Sequence, residues 1–184
     1  ELVGRLREAS EWGVAVGELG IDWGAMRDRA MGIATRMRGG VEQACERRGV
    51  RVVRGDGWLV APDRVAVDTA DGTVEITAPT VVLATGSEPA RLPVFDFDQP
   101  AVLTSTTALE LEELPESMLI VGGGIIGCEF ASMLAPLGCR ITLVEAASPL
   151  REVGAAARAA LLARLGAAGI DLRSGAAPLR VEPG

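Results

Sequence analysis

The chain contains no lysine, no histidine and no tyrosine. Those absences exclude a Ser-His-Asp triad, a histidine-based zinc site, a lysine Schiff base and a P-loop lysine, so neither catalysis through these groups nor a bound metal is expected. Cysteine is scarce: Cys45, Cys128 and Cys139 are scattered, odd in number and form no C-x-x-C pair. That usage fits no disulfide framework and implies a reducing, cytoplasmic setting. No apolar run approaches the roughly 20 residues of a membrane span. No charged segment followed by an apolar core opens the chain as a signal peptide would, so no membrane partner is expected. The 18 basic residues, all Arg, are outnumbered by 25 acidic ones, for a net charge of -7. That balance weighs against nucleic-acid binding, which needs a positive surface. What remains is a globular composition, 48% hydrophobic over 184 residues, enough for one ordinary domain or two small ones. The first residue is Glu1 and the chain closes on the loose Val181-Glu182-Pro183-Gly184. The expectation is an internal segment of a longer protein.

The pattern of apolar residues divides the chain. Leu2 to Glu11 reads as a polar helix. Asp22 is an N-cap candidate for a long helix to Arg48, with Met26, Ala30, Ile33, Met37, Val41 and Ala44 in one apolar stripe and Gly49 as its stop. From Val50 the period changes to two. Short strands at Arg51–Val53, Trp58–Val60, Val65–Val67 and Val74–Ile76, with turn signals at Pro62-Asp63 and Asp71-Gly72, predict an antiparallel meander. The run Val81-Val82-Leu83-Ala84 predicts a strand buried on both faces. After a connector come a short helix within Thr104–Leu114, capped by Ser105 or Thr106, a strand at Met118–Val121 and a helix from Ile125 to Leu137. A strand at Arg140–Glu145, a helix at Val153–Ala168 and a strand at Ile170–Arg173 follow.

The most informative stretch is Leu119-Ile120-Val121-Gly122-Gly123-Gly124-Ile125-Ile126-Gly127-Cys128-Glu129-Phe130-Ala131. It holds G-x-G-x-x-G as Gly122, Gly124 and Gly127, between a buried strand and a helix. Ala131 is a small residue one turn on, where helix and strand pack closely. The next strand ends in an acid, Glu145. Each residue has a physical task in binding a dinucleotide. Gly122 permits a tight turn, Gly124 lets a pyrophosphate approach the backbone, and Gly127 lets the helix meet the sheet. The helix start offers free N–H groups and partial positive charge. Glu145 accepts hydrogen bonds from ribose hydroxyls and repels a 2′-phosphate, favouring NAD(H) over NADP(H). The plainer alternative is a glycine-rich turn that binds nothing. Glu129 by itself is a favourable charge near a helix N-terminus, and the three cysteines read as small buried residues.

A second motif, Val81-Val82-Leu83-Ala84-Thr85-Gly86-Ser87-Glu88-Pro89, lies upstream of the glycine loop and just after the meander. That order resembles the FAD-dependent pyridine nucleotide–disulfide oxidoreductases. Gly122 to Ser132 looks most like their dihydrolipoamide dehydrogenase branch. The resemblance implies an α/β fold of two partial three-layer, Rossmann-like domains. Residues 1–103 would be a partial FAD-binding domain carrying the meander, and residues 104–184 a partial NAD-binding domain. It implies FAD and NAD as cofactors. Thr85, Gly86 and Ser87 would touch the flavin cofactor, and Gly57 would meet its adenine end. Gly122, Gly123, Gly124, Ile125, Ile126 and Gly127 would form the NAD loop. Glu145 would be the ribose-binding acid, and Glu129 would lie beside the nicotinamide and flavin rings. The implied parent passes electrons from a small-molecule or protein-bound dithiol through FAD to NAD, as a homodimer that can join a 2-oxo acid dehydrogenase complex.

The departures are as informative. An amino-terminal G-x-G-x-x-G for FAD, the redox-active C-x-x-x-x-C and the carboxy-terminal H-x-E are all absent from these residues. Pro178 falls near the family's adenine-contacting strand position, where proline cannot donate a ladder hydrogen bond. The chain alone is therefore expected to be inactive. Mercuric reductases, glutathione-type reductases and transhydrogenases share the motifs, and a non-catalytic nucleotide-binding module or remnant fits the missing parts as well.

Overall fold

The computed structural model describes residues 2–178, so the tail from Val181 lies outside the described residues. The fold is α/β, with one antiparallel and one parallel three-stranded sheet. The chain divides into two compact units. One is residues Asp28–Glu88, and the other joins the residues up to Arg27 with those from Pro89 onward.

The meander unit begins within helix α2 (Trp23–Arg47), which follows α1 (Leu2–Glu8) and a 3-10 turn at Ala9–Trp12. Asp22 caps α2 as expected: its Oδ1 accepts the Ala25 N–H at 2.9 Å. Gly49 ends it at φ 68°, the left-handed turn that glycine adopts without penalty. Strands β1 (Asp56–Ala61), β2 (Arg64–Thr69) and β3 (Gly72–Thr77) pair in sequence order, with Gly57 opposite Val67 and Val67 opposite Val74. Two expectations fail here. Arg51–Val53 forms no strand, and neither does Val81–Ala84. A strand buried on both faces needs a ladder partner and two covering layers. The three described strands of this unit pair only with one another, and Val82 and Leu83 stand 81% and 66% exposed. The apolar stripe of α2 is likewise uncovered: Met37 is 69% exposed, and only Ala44 of the stripe within this unit is partly buried.

The parallel unit is organised around a core of its own. Strands β4 (Ser117–Val121), β5 (Arg140–Glu145) and β6 (Asp171–Ser174) lie in the order β4-β5-β6, with Ile120 opposite Leu143 and Leu143 opposite Leu172. Helix α4 (Ile125–Leu134) follows β4, continues as a 3-10 turn through Pro136, and α5 (Ala155–Ala167) links β5 to β6. Cys128, Ala131, Leu134, Cys139, Ile141, Leu143, Leu150, Leu165 and Ile170 pack together between helices and sheet. Trp23 packs against this cluster and donates its indole N–H to the Leu111 carbonyl at 2.8 Å, which ties the start of α2 to this unit. The short helix α3 (Ser105–Leu109) is capped by Thr104, one residue earlier than expected. Thr104 and Thr107 form a reciprocal capping box.

Ala131 is 0% exposed on the inner face of α4. Its smallness sets how closely α4 lies on the sheet. Ala131→Leu is expected to lower the unfolding free energy by about 1–3 kcal/mol through overpacking, read from urea unfolding. Ser132→Ala, on the exposed side, is expected to stay within about 0.5 kcal/mol.

Candidate functional site

The glycine loop joins β4 to α4, and its glycines meet different demands. Gly122 has φ 110°, a conformation that side chains resist, and its N–H donates to the Val144 carbonyl at 2.8 Å. A β carbon on Gly127 would fall on the Gly122 carbonyl oxygen and press on Ile120 at 3.3 Å. The turn therefore closes only if Gly127 has no side chain. A β carbon on Gly123 would stand 2.9 Å from the β carbon of Glu145 and 3.1 Å from that of Pro149. Gly123 is accordingly buried, while Gly124, Ile125 and Ile126 are exposed. Gly124 is the N-cap of α4, makes no side-chain cap bond and has open space where a β carbon would be. The first-turn N–H groups of a helix have no intrahelical acceptor, so this end offers donors and partial positive charge to an anion.

Glu145 ends β5 beside the loop. Its Oε2 accepts the Gly123 N–H at 2.7 Å and its Oε1 accepts the Ala147 N–H at 2.8 Å. The Ala147 and Gly123 bonds, helped by the charge of Arg151 and opposed by partial burial, hold its carboxyl below the usual carboxylate range. Cys128 sits behind the loop, its Sγ 3.6 Å from the Gly123 carbonyl. Burial first, and the Glu145 charge second, push its thiol up, so it stays protonated and acts as a core residue. Glu129 lies exposed in the first turns of α4. Beside the loop is an apolar hollow of about 1130 Å³, whose walls include Phe95, Phe97, Met118, Ile125, Ile126 and Phe130. Phe95 and Phe97 meet edge to face at 6.2 Å, and the Arg91 guanidinium lies over Phe97 at 5.6 Å.

The structure thus brings Gly122 to Gly127 and Glu145 together in the parallel unit. Gly57, Thr85, Gly86 and Ser87 belong to the meander unit, where all four are exposed. Gly86 adopts φ 79°, a left-handed turn. At Gly57 a β carbon would make only ordinary contacts, the nearest at 3.7 Å. In the meander a β carbon on Gly55, at φ 156°, would collide with the Asp68 carbonyl. Sequence reasoning passed over Gly55 and also over Leu150. Leu150 has positive φ, 51°, and its N–H donates to the Gly123 carbonyl at 2.8 Å. The only signal for it was the Ser148-Pro149 turn just before. Among the described residues no group of three or more His, Cys, Asp or Glu side chains is placed to hold a metal ion. No described helix is long and apolar enough to cross a membrane.

The pyridine nucleotide-disulphide oxidoreductase sequence profile matches residues 5–184. Dihydrolipoyl dehydrogenase of Chlamydia pneumoniae is 40% identical over 145 residues, 79% of this chain and 31% of that protein. One from Bacillus subtilis is 33% identical over 148 residues, 79% of this chain and 32% of that protein. The chain thus spans about a third of the length of the curated relatives it matches. Among solved structures, LpdA from Mycobacterium tuberculosis superposes with a TM-score of 0.83 at 27% identity, covering 97% of this chain and 40% of that one. A Cu(II) complex of the HOCl-induced flavoprotein disulfide reductase RclA from Escherichia coli gives 0.77 at 25% identity, covering 98% and 39%.

Two outcomes follow from the loop geometry. Gly127→Ala is expected to destabilise by about 1–3 kcal/mol, the range for forced overpacking, whereas Gly124→Ala stays within about 1 kcal/mol, both read from urea unfolding. The depressed Glu145 pKa stabilises the fold above the ordinary carboxylate range, and this contribution is lost as pH falls through that range towards the lowered folded value. Glu145→Gln should therefore flatten the acid limb of stability against pH, measured by thermal melts from neutral pH into the acid range.

Proposed function

The chain belongs to the pyridine nucleotide-disulphide oxidoreductase family, and from that premise we propose that it is an internal segment of a dihydrolipoamide dehydrogenase-like flavoprotein. In this reading residues 104–184 carry the NAD half-site and residues 1–103 a part of the FAD-binding domain. The observation that carries it is the loop itself. Of the G-x-G-x-x-G set, Gly122 and Gly124 both have open space where a β carbon would be, Gly124 lies at the uncapped start of α4, and an acid ends the adjacent strand. Gly122 has positive φ, and Gly127 is closed by the turn.

These residues fit a dinucleotide pyrophosphate. The exposed backbone of Gly124, Ile125 and Ile126 would bind the phosphates by N–H donation and helix charge. The lone pairs Glu145 keeps free would accept ribose hydroxyls, since a carboxylate offers about four sites and two are taken. The hollow walled by Phe95, Phe97 and Ile126 would exclude water along the rest of the ligand. Glu129, exposed just past the loop, would orient groups at the nicotinamide end. Thr85, Gly86, Ser87 and Gly57 would contribute to the flavin cofactor's wall. When bound, NAD supplies the hydride acceptor and FAD the relay from a dithiol. The substrate dithiol, small or protein-bound, the homodimer, the 2-oxo acid dehydrogenase complex and a cytoplasmic setting belong to the same reading. The relatives named dihydrolipoyl dehydrogenase support it.

The chain has neither a C-x-x-x-x-C pair nor any histidine. It is expected to bind NADH more tightly than NADPH in fluorescence titrations and to show no dithiol–NAD turnover by itself. Tighter NADPH binding would contradict the role given to Glu145, and turnover by the 184-residue chain would contradict the assignment of catalysis to residues it lacks.

A further inference from the structure

The carboxylate that this reading assigns to a ribose is already engaged by the protein. Glu145 holds the Gly123 N–H on one oxygen and the Ala147 N–H on the other. From the same connection between β5 and α5, Leu150 N–H donates to the Gly123 carbonyl. Gly123 is thus gripped at both of its backbone polar groups, by the last residue of β5 and by the segment that follows it, with no room for a side chain between them. Leu150 makes its bond from a left-handed backbone that non-glycine residues avoid, and its side chain is only 5% exposed in the core. Such a conformation persists where surrounding contacts over-determine it. The bonds to Glu145 are charge-assisted, the stronger class of hydrogen bond.

We propose that Glu145 is a positioning residue of the phosphate loop. By fixing Gly123 against the β5–α5 connection, it sets the path of the chain into Gly124, Ile125 and Ile126 and so supports dinucleotide binding independently of any contact with the ribose. The proposal rests on the reading of this loop as a dinucleotide site. It separates two effects that a loss of affinity on mutation would otherwise merge: a missing ribose contact and a loosened loop.

The test uses Glu145→Gln in the full 184-residue chain. Glutamine keeps the size but sets an NH2 group against one of the two N–H donors. Glu145→Ala removes both acceptors and introduces no new donor. In the unliganded chain, amide hydrogen exchange resolved by NMR should speed up by about tenfold or more at Gly123 or Ala147 in the first variant and at both in the second. Exchange at Ile141 and Leu143, in the middle of β5, should be unchanged. Affinity is then measured for NADH and for an NADH analogue whose adenosine lacks the 2′ and 3′ hydroxyls. The expected result is weakening of the analogue by about tenfold and of NADH by at least as much. Weakening of NADH with the analogue unaffected would show a ribose contact only and overturn the proposal. Unchanged exchange at both amides, with NADH binding intact in the parent chain, would overturn it while leaving the dinucleotide reading in place. Absence of NADH binding in the parent chain would defeat the dinucleotide reading and this proposal together.

Discussion

The parallel unit depends on backbone approaching backbone where β4 turns into α4. At Gly127 the helix comes so near the Gly122 carbonyl that no β carbon fits, and at Gly123 the chain lies against the β carbons of Glu145 and Pro149. These approaches fix the direction in which α4 leaves the sheet. That direction in turn brings Cys128, Ala131 and Leu134 onto the buried face of the helix, above Ile141 and Leu143. The same two glycines leave the start of α4 facing solvent, with donors unclaimed by side chains. The packing of α4 and the exposure of its first N–H groups thus arise from one steric condition, and neither can be altered at Gly127 without the other.

Much of this was legible in the sequence because the constraints are local. A glycine at a fixed offset after an apolar strand, a small residue one turn later and an acid at the end of the next strand each express a steric or electrostatic need met within a few residues. β5, the meander and the cap at Asp22 were readable for the same reason. What escaped depends on partners distant in sequence. Gly55 is required by Asp68 across the ladder, and Leu150 takes its strained backbone to satisfy Gly123. For Leu150 the neighbouring residues give only the Ser148-Pro149 turn, and for Gly55 they do not name Asp68. The cap of α3 falls between these cases. Thr104, Ser105, Thr106 and Thr107 can all cap a helix, and only the backbone path selects Thr104.

Hydrophobic periodicity also reports what a segment needs covered without reporting what covers it. The α2 stripe and the run Val81–Ala84 both carry strong apolar patterns, yet the described residues leave Met37, Val82 and Leu83 largely open. Within the meander unit only Ala66 and Val67 are buried, whereas the parallel unit encloses a contiguous cluster that spans α4, β5, α5 and Ile170 just before β6. Stability in such a molecule is uneven, since local opening follows the density of buried apolar contacts. The glycine loop, Glu145 and Leu150 all belong to the densely packed unit. The loop's geometry is therefore maintained by contacts inside its own unit.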